Sequence, residues 1–156
     1  GIAHLPVPGS SAACPCGAVG CLQATVSDRA FAERAVAAGI APRAEIGLLV
    51  AAARGGDLRA LELCRERLRL IAPIAALLLD MISPEVLVLT DAVTLRLPEL
   101  LPYLYQQIAA RTRQDPSQLV RPSSFGPNVL AVAAGTPVLA AVHQDPMALR
   151  TAAAAR

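Results

Sequence analysis

Tryptophan and lysine are missing from this chain, only two phenylalanines and two tyrosines are present, and charged residues fill just 17% of its 156 positions. So few aromatic side chains do not make a base-stacking surface. All 14 basic residues are arginine, against 12 acidic ones, and the net charge of +2 is too small for an electrostatic nucleic-acid footprint. The arginines alternate with acids, as in Arg65-Glu66-Arg67, a pattern that reads as solvated helix faces carrying some ion pairs. Long apolar runs are also lacking, although hydrophobic residues make up 54% of the chain. The longest, Leu70 to Leu79, contains Pro73 and ends at Asp80, which argues against a transmembrane span. No positively charged leader with an apolar core opens the sequence, so nothing signals secretion and a cytoplasmic protein is expected.

What is present is concentrated near the start. The stretch from His4 to Gln23 holds one of two histidines and three of four cysteines, in the order His4, Cys14, Cys16, Cys21. Structural zinc sites take four tetrahedral nitrogen and sulfur ligands, and one His with three Cys is a standard set. The Cys14-x-Cys16 pair places two thiolates side by side, and Gly17 and Gly20 allow the chain to bring Cys21 back to the same ion. Three cysteines in so short a span with a Cys-x-Cys spacing are unsuited to bridging, so reduced, metal-binding thiols are expected. Ordinary buried loop thiols are the competing reading. Cys64 is different: it sits on the apolar face of a long helical pattern and reads as a core thiol.

Residues 1–20 read as a loop ordered by the ion, with Leu5 and Val7 flanking Pro6 as a short edge strand. A helix is expected from Cys21 or Ser27 to about Ala38, and a second from Ala44 to Arg54, closed by Gly55-Gly56. Asp57 should cap the longest helix, which extends to about Ile82 with one face formed by Leu61, Cys64, Leu68, Ile71, Ala75, Leu78 and Ile82. Pro73 should kink it. After Ser83-Pro84, the run Val86 to Leu89 suits a buried strand. Further helices are expected at Pro98 to Arg113, Asn128 to Val142 and briefly from Asp145-Pro146, with a second strand starting at Leu119-Val120. Asp80 and Asp91 read as surface or turn residues. Long helices with two isolated strands suggest part of an α/β domain.

The segment Cys14-Pro15-Cys16-Gly17-Ala18-Val19-Gly20-Cys21-Leu22-Gln23, with His4 ahead of it, resembles the zinc loop of the ROK family. That family joins bacterial sugar kinases to sugar-responsive transcriptional repressors. Its pattern there is Cys-x-Cys-Gly-x-x-Gly-Cys-x-Glu preceded by Glu-x-Gly-His. The cysteines and glycines match, but Gly1 stands in place of the family's Glu, Ala3 in place of Gly, and Gln23 in place of the closing Glu. The run Leu78 to Leu89 is similar to the family's helix-to-strand passage. Where kinases then place a Gly-Gly turn at the nucleotide, this chain has Thr90-Asp91-Ala92. The ending His143-Gln144-Asp145-Pro146 is similar to repressor-type members.

The resemblance implies a fold of class α/β: the second lobe of an actin-like (ribonuclease H-like) ROK fold, mostly helical, with a few short strands and a zinc loop at 1–23. Residues 1–156 would form a single partial domain, the first lobe and any helix-turn-helix lying upstream. No catalytic residue is expected, since the phosphate-binding motif and catalytic Asp of the first lobe have no counterpart. Of the family's sugar contacts, only His4 and the neutral Gln23 stand at matching positions, so sugar binding should be altered or lost. The implied protein is the effector-sensing and dimerisation portion of a transcriptional regulator, with structural zinc on His4, Cys14, Cys16 and Cys21. Its expected partners are a second copy, a sugar or sugar-derivative effector, and DNA only through another domain. A fragment of a sugar kinase and a non-sensing zinc-stabilised oligomerisation module are the alternatives.

Overall fold

Ser27 decides how the chain leaves the cysteine-rich loop. Its extended backbone (φ −59°, ψ 157°) interrupts what would be one helix, and its hydroxyl accepts the Ala30 N–H at 3.2 Å as the cap of a new one. The helix expected to start at Cys21 or Ser27 is therefore two, α1 (Leu22–Val26) and α2 (Asp28–Ala37), the second starting at the Ser27 cap that the sequence offered. Further on come α3 (Ile46–Arg54), α4 (Leu58–Ile82), β1 (Leu87–Leu89), α5 (Ala92–Arg96), α6 (Leu101–Ala109), α7 (Pro116–Leu119), β2 (Val120–Pro122) and α8 (Val129–Gln144). Short 3-10 turns cover Ile2–His4 and Pro98–Leu100. This is a computed structural model, and it describes residues 2–125 and 128–144. The helix expected at Asp145-Pro146 lies outside the described residues.

Helix α4 is the axis of the fold. Asp57 caps it as expected, accepting the backbone N–H groups of Arg59 at 2.8 Å and Ala60 at 3.1 Å. Pro73 is exposed and does not end the helix, which stops where Ser83 turns left-handed at φ 48°. The buried stripe is Ala60, Cys64, Leu68, Ala72, Ala75, Ala76 and Leu79. It is rotated from the expected one: Leu61, Ile71 and Leu78 are half-buried and Ile82 is 66% exposed. The reason is steric. Alanines give neighbouring helices a closer approach than leucine or isoleucine would, so the centre of the stripe falls on the small residues. Phe31, Leu49, Val50, Leu97, Leu104 and Ile108 complete the core around it.

β1 and β2 pair in parallel, Leu87 opposite Val120 and Leu89 opposite Pro122, joined by the α5–α7 crossover. The strand from Val86 was expected to be buried. Instead Val86 is 48% and Val88 53% exposed, while Leu87 and Leu89 pack against the core. Alternation puts Val88 on the face opposite Leu87 and Leu89, and no helix of residues 2–122 packs over that face. Parallel strands normally have both faces covered. The helix expected to reach Arg113 ends at Ala109, and neither α5 nor α7 was anticipated.

The chain divides between Pro122 and Ser123 into two compact units. In the second, α8 runs through Pro137, and the Thr136 hydroxyl donates to the Val132 carbonyl at 2.8 Å. No described helix is long and apolar enough to cross a membrane.

Two acidic and basic expectations fail together. Asp91 is the cap of α5, accepting the Val93 and Thr94 N–H groups through Oδ2 at 3.0 and 2.9 Å. Its side chain is only 7% exposed because Oδ1 lies 2.7 Å from Nε of Arg67, itself 6% exposed. Arg67 Nη2 also donates to Asp28 Oδ1 at 2.6 Å, and the guanidinium lies 5.7 Å from the centre of the Phe31 ring. So Arg67 and Asp91 belong to the interior. The exposed pairs Arg29–Glu33, Arg34–Glu66 and Arg69–Glu62 do follow the solvated-face pattern. Asp80 is exposed and accepts a hydrogen bond from Thr112.

Candidate metal centre

Two short backbone ladders fold residues 4–22 into a clasp. Segment 5–7 runs antiparallel to 20–22: the Val7 N–H donates to the Gly20 carbonyl and the Leu22 N–H to the Leu5 carbonyl, both at 2.8 Å. This brings the 3-10 turn bearing His4 beside Cys21. Ala13 bridges Val19, and the Cys14 N–H donates to the Ala18 carbonyl at 2.9 Å. The Gly17 N–H returns to the Cys14 carbonyl at 2.9 Å, closing the turn that carries Cys16.

The turn needs its glycines. Gly17 and Gly20 adopt φ of +89° and +76°, and a Cβ on Gly20 would lie 2.7 Å from the Ser10 carbonyl oxygen. Alanine at Gly17 has open space and should cost only the left-handed strain of about 1–2 kcal/mol. Alanine at Gly20 adds a backbone clash. Gly20→Ala should therefore lower the melting temperature more than Gly17→Ala and loosen the cysteine cluster, which thermal melts and thiol accessibility measured side by side would check.

The ligand atoms of His4, Cys14, Cys16 and Cys21 all lie within 4.8 Å of one another. Cys14 Sγ is 3.8 Å from His4 Nδ1, and Cys16 Sγ is 3.7 Å from Cys21 Sγ. A tetrahedral zinc with Zn–S bonds of about 2.3 Å has S···S edges of about 3.8 Å. The Cys16–Cys21 spacing matches such an edge, the remaining ligand atoms lie close enough to converge on one ion, and the one-imidazole, three-thiol donor set suits zinc. Cys14 and Cys21 are buried, whereas His4 and Cys16 are exposed. The Ala18 backbone N–H, then the Cys14 thiol, pulls the Cys16 thiol down to about 7. Burial first, then the neighbouring thiols, pushes Cys21 up to about 11. Crowded sulfurs of which one resists ionisation are a poor arrangement alone and a good one around a cation.

Cys64 is fully buried on α4, and burial followed by the charge of Asp91 raises its thiol to about 11. It is a core thiol, as the sequence suggested. Gln23 is exposed in the first turn of α1. It lines an open concavity of about 620 Å³ with Pro15, Ser27, Arg29 and Glu33, which His4 does not border. The structure thus gathers the four metal-ligand candidates, while Gln23 stands apart from them on α1. Sequence reasoning missed the Arg67–Asp91 pair, which lines a second, largely apolar concavity of about 350 Å³ with Ile2, Leu22, Ile71, Leu78 and Leu87. The signal was available: Arg67 is three positions from Cys64 on the same helix face.

A mostly helical α/β chain carrying a His-Cys-Cys-Cys clasp able to hold a metal ion defines a class of protein rather than one activity. The chain belongs to the ROK family, whose model matches residues 1–140. It is 31% identical to a transcriptional regulator of Mycobacterium tuberculosis and to one of Mycobacterium bovis, over 99% of this chain and 39% of each relative. Among solved structures it is similar to a ROK hexokinase from Thermus thermophilus (TM-score 0.61, 27% identity, 81% of this chain and 43% of that one). It also shares the fold of a ROK family transcriptional regulator, a homologue of the Escherichia coli MLC protein (TM-score 0.63, 22% identity, 78% of this chain and 33% of that one). The chain therefore spans well under half the length of these relatives.

Proposed function

We propose that this chain is the effector-sensing and dimerisation portion, corresponding to the second lobe, of a ROK-type transcriptional regulator. The observation that carries the reading is its match, across 99% of its length, to relatives named transcriptional regulators. A zinc ion would be held by His4, Cys14, Cys16 and Cys21. With four protein ligands it would have no open position for activating water, so its contribution is structural: it fixes the loop that carries His4 and leads into α1, where Gln23 stands. DNA would be engaged by another domain and a second copy through this lobe.

The interior of the molecule supports a non-enzymatic role. Asp91, in the turn where kinases of the family have Gly-Gly, spends its carboxylate on capping α5 and on Arg67. It is not free to orient or deprotonate a sugar hydroxyl. The competing reading, a fragment of a sugar kinase, draws on the similarity to the ROK hexokinase. ATP-dependent phosphorylation of a hexose by this chain would favour that reading.

Sugar recognition would draw on His4 of the clasp and Gln23 of α1, with a neutral amide in place of a carboxylate. Each charged hydrogen bond lost weakens binding by about 1.5–3 kcal/mol. Isothermal titration with a panel of hexoses and amino sugars should show at most weak saturable binding, and Gln23→Glu should tighten it roughly tenfold or more. No binding by either protein would point to the non-sensing, zinc-stabilised oligomerisation module instead.

A further inference from the structure

We propose that Cys16 and Cys21 are a hydroperoxide-sensitive thiol pair, Cys16 receiving the oxidant and Cys21 resolving it to a disulfide that expels the metal. This goes beyond the structural role given to the loop and rests on the metal reading only for its zinc-release half.

The clasp separates these two cysteines by accessibility and joins them by distance. Cys16 is the exposed cysteine of the cluster, whereas Cys14 and Cys21 are 7% and 3% exposed. An oxidant arriving from solvent meets Cys16 first. Its Sγ already lies 3.7 Å from Cys21 Sγ, and closing to a disulfide length of about 2.05 Å needs only a small contraction. Gly17 lies between them with open space around its α-carbon, so the Cys16 turn can tilt without a clash. Cys14 is the worse resolving partner. Its N–H is tied to Ala18, its sulfur faces His4, and a bridge to Cys16 would close a strained ring across one residue.

The chemistry balances with a hydroperoxide as the oxidant. The Cys16 thiolate attacks the terminal peroxide oxygen, the O–O bond breaks, and hydroxide or alkoxide leaves with the electron pair, giving a sulfenic acid. The Cys21 thiolate then attacks the Cys16 sulfur, the S–S bond forms, the S–O bond breaks and hydroxide leaves. Two thiolates are oxidised by two electrons, one peroxide is reduced, and two protons from solvent neutralise the anions. With two of four donors consumed, His4 and Cys14 alone do not retain zinc.

The test treats the zinc-loaded chain with one equivalent of hydrogen peroxide. Free zinc is followed with a chromophoric chelator, and the disulfide is located by peptide mass mapping. The expected result is release of the bound zinc in step with a Cys16–Cys21 disulfide, reversed by a dithiol reductant and added zinc. Cys16→Asp keeps an oxygen ligand for the metal and should release zinc about tenfold more slowly or less. A disulfide mapping to Cys14, oxidation that leaves the metal bound, or equal release from Cys16→Asp overturns the proposal. A chain that binds no zinc yet forms the Cys16–Cys21 disulfide refutes the metal reading and upholds the thiol pair.

Discussion

Cys16→Ser should release the proposed zinc and lower the melting temperature, while Cys64→Ser should leave the zinc content unchanged. Serine at Cys16 replaces a thiolate with a hydroxyl, which is not a zinc ligand of comparable strength at neutral pH. The remaining imidazole and two thiolates then hold the ion far more weakly, and metal-binding free energy is folding free energy for the loop it orders. Otherwise that loop is held by two single-residue bridges, backbone hydrogen bonds and the Ser10–Thr25 hydroxyl contact at 2.7 Å. For a chain of this size each kcal/mol lost lowers the melting temperature by about 2–4 °C. Elemental analysis should fall from one zinc per chain to nearly none, with a drop in the melt of several degrees. Cys64 has no contact with the cluster and is enclosed by the α4 core. Its serine variant buries a hydroxyl and loses some stability, but its zinc stays at wild-type level. Equal zinc in the two variants would refute the ligand assignment.

The second large effect is expected at Arg67. Arg67→Met keeps most of the volume and the packing on Phe31 but leaves Asp91 buried without a counter-charge. Removing one partner of a buried ion pair costs about 3–5 kcal/mol, because the remaining charge is left uncompensated. The pair is not ideally satisfied even now: Arg67 Nε and Asp91 Oδ1 are close but poorly aligned, and Arg67 Nη1 has no acceptor among the described residues. A double variant, Arg67→Met with Asp91→Asn, removes both charges and keeps a side chain able to cap α5. It should recover much of the loss. Urea unfolding of the wild type, both single variants and the double variant gives the coupling directly. Near-additive losses would mean that Asp91 acts only as a helix cap.

The gathering of His4, Cys14, Cys16 and Cys21 was legible in the sequence because it is local. Four ligand side chains within a short span, with glycines at the turn, need only two backbone ladders to converge. The helices were legible for the same reason: Asp57, Gly39 and Gly55-Gly56 are punctuation that acts within one turn. What escaped depends on distant partners. Arg67 looked like one more solvated arginine: its spacing from Cys64 marks the buried face, but Asp28 and Asp91, which neutralise it, are far away in the chain. Val86 and Val88 looked like core because four apolar residues in a row say nothing about which faces are covered. The short helices α5 and α7 lack a periodic stripe long enough to register. Only their caps, Asp91 and Asp115, announced them.

The exposed side of the two-stranded pair has a practical consequence. Met81, Ile82, Val86 and Val88 present greasy surface next to backbone that can still recruit a neighbour. Concentrated solutions should cloud on warming before the helices melt. Turbidity, rather than loss of ellipticity, is then what limits how this polypeptide can be stored and handled.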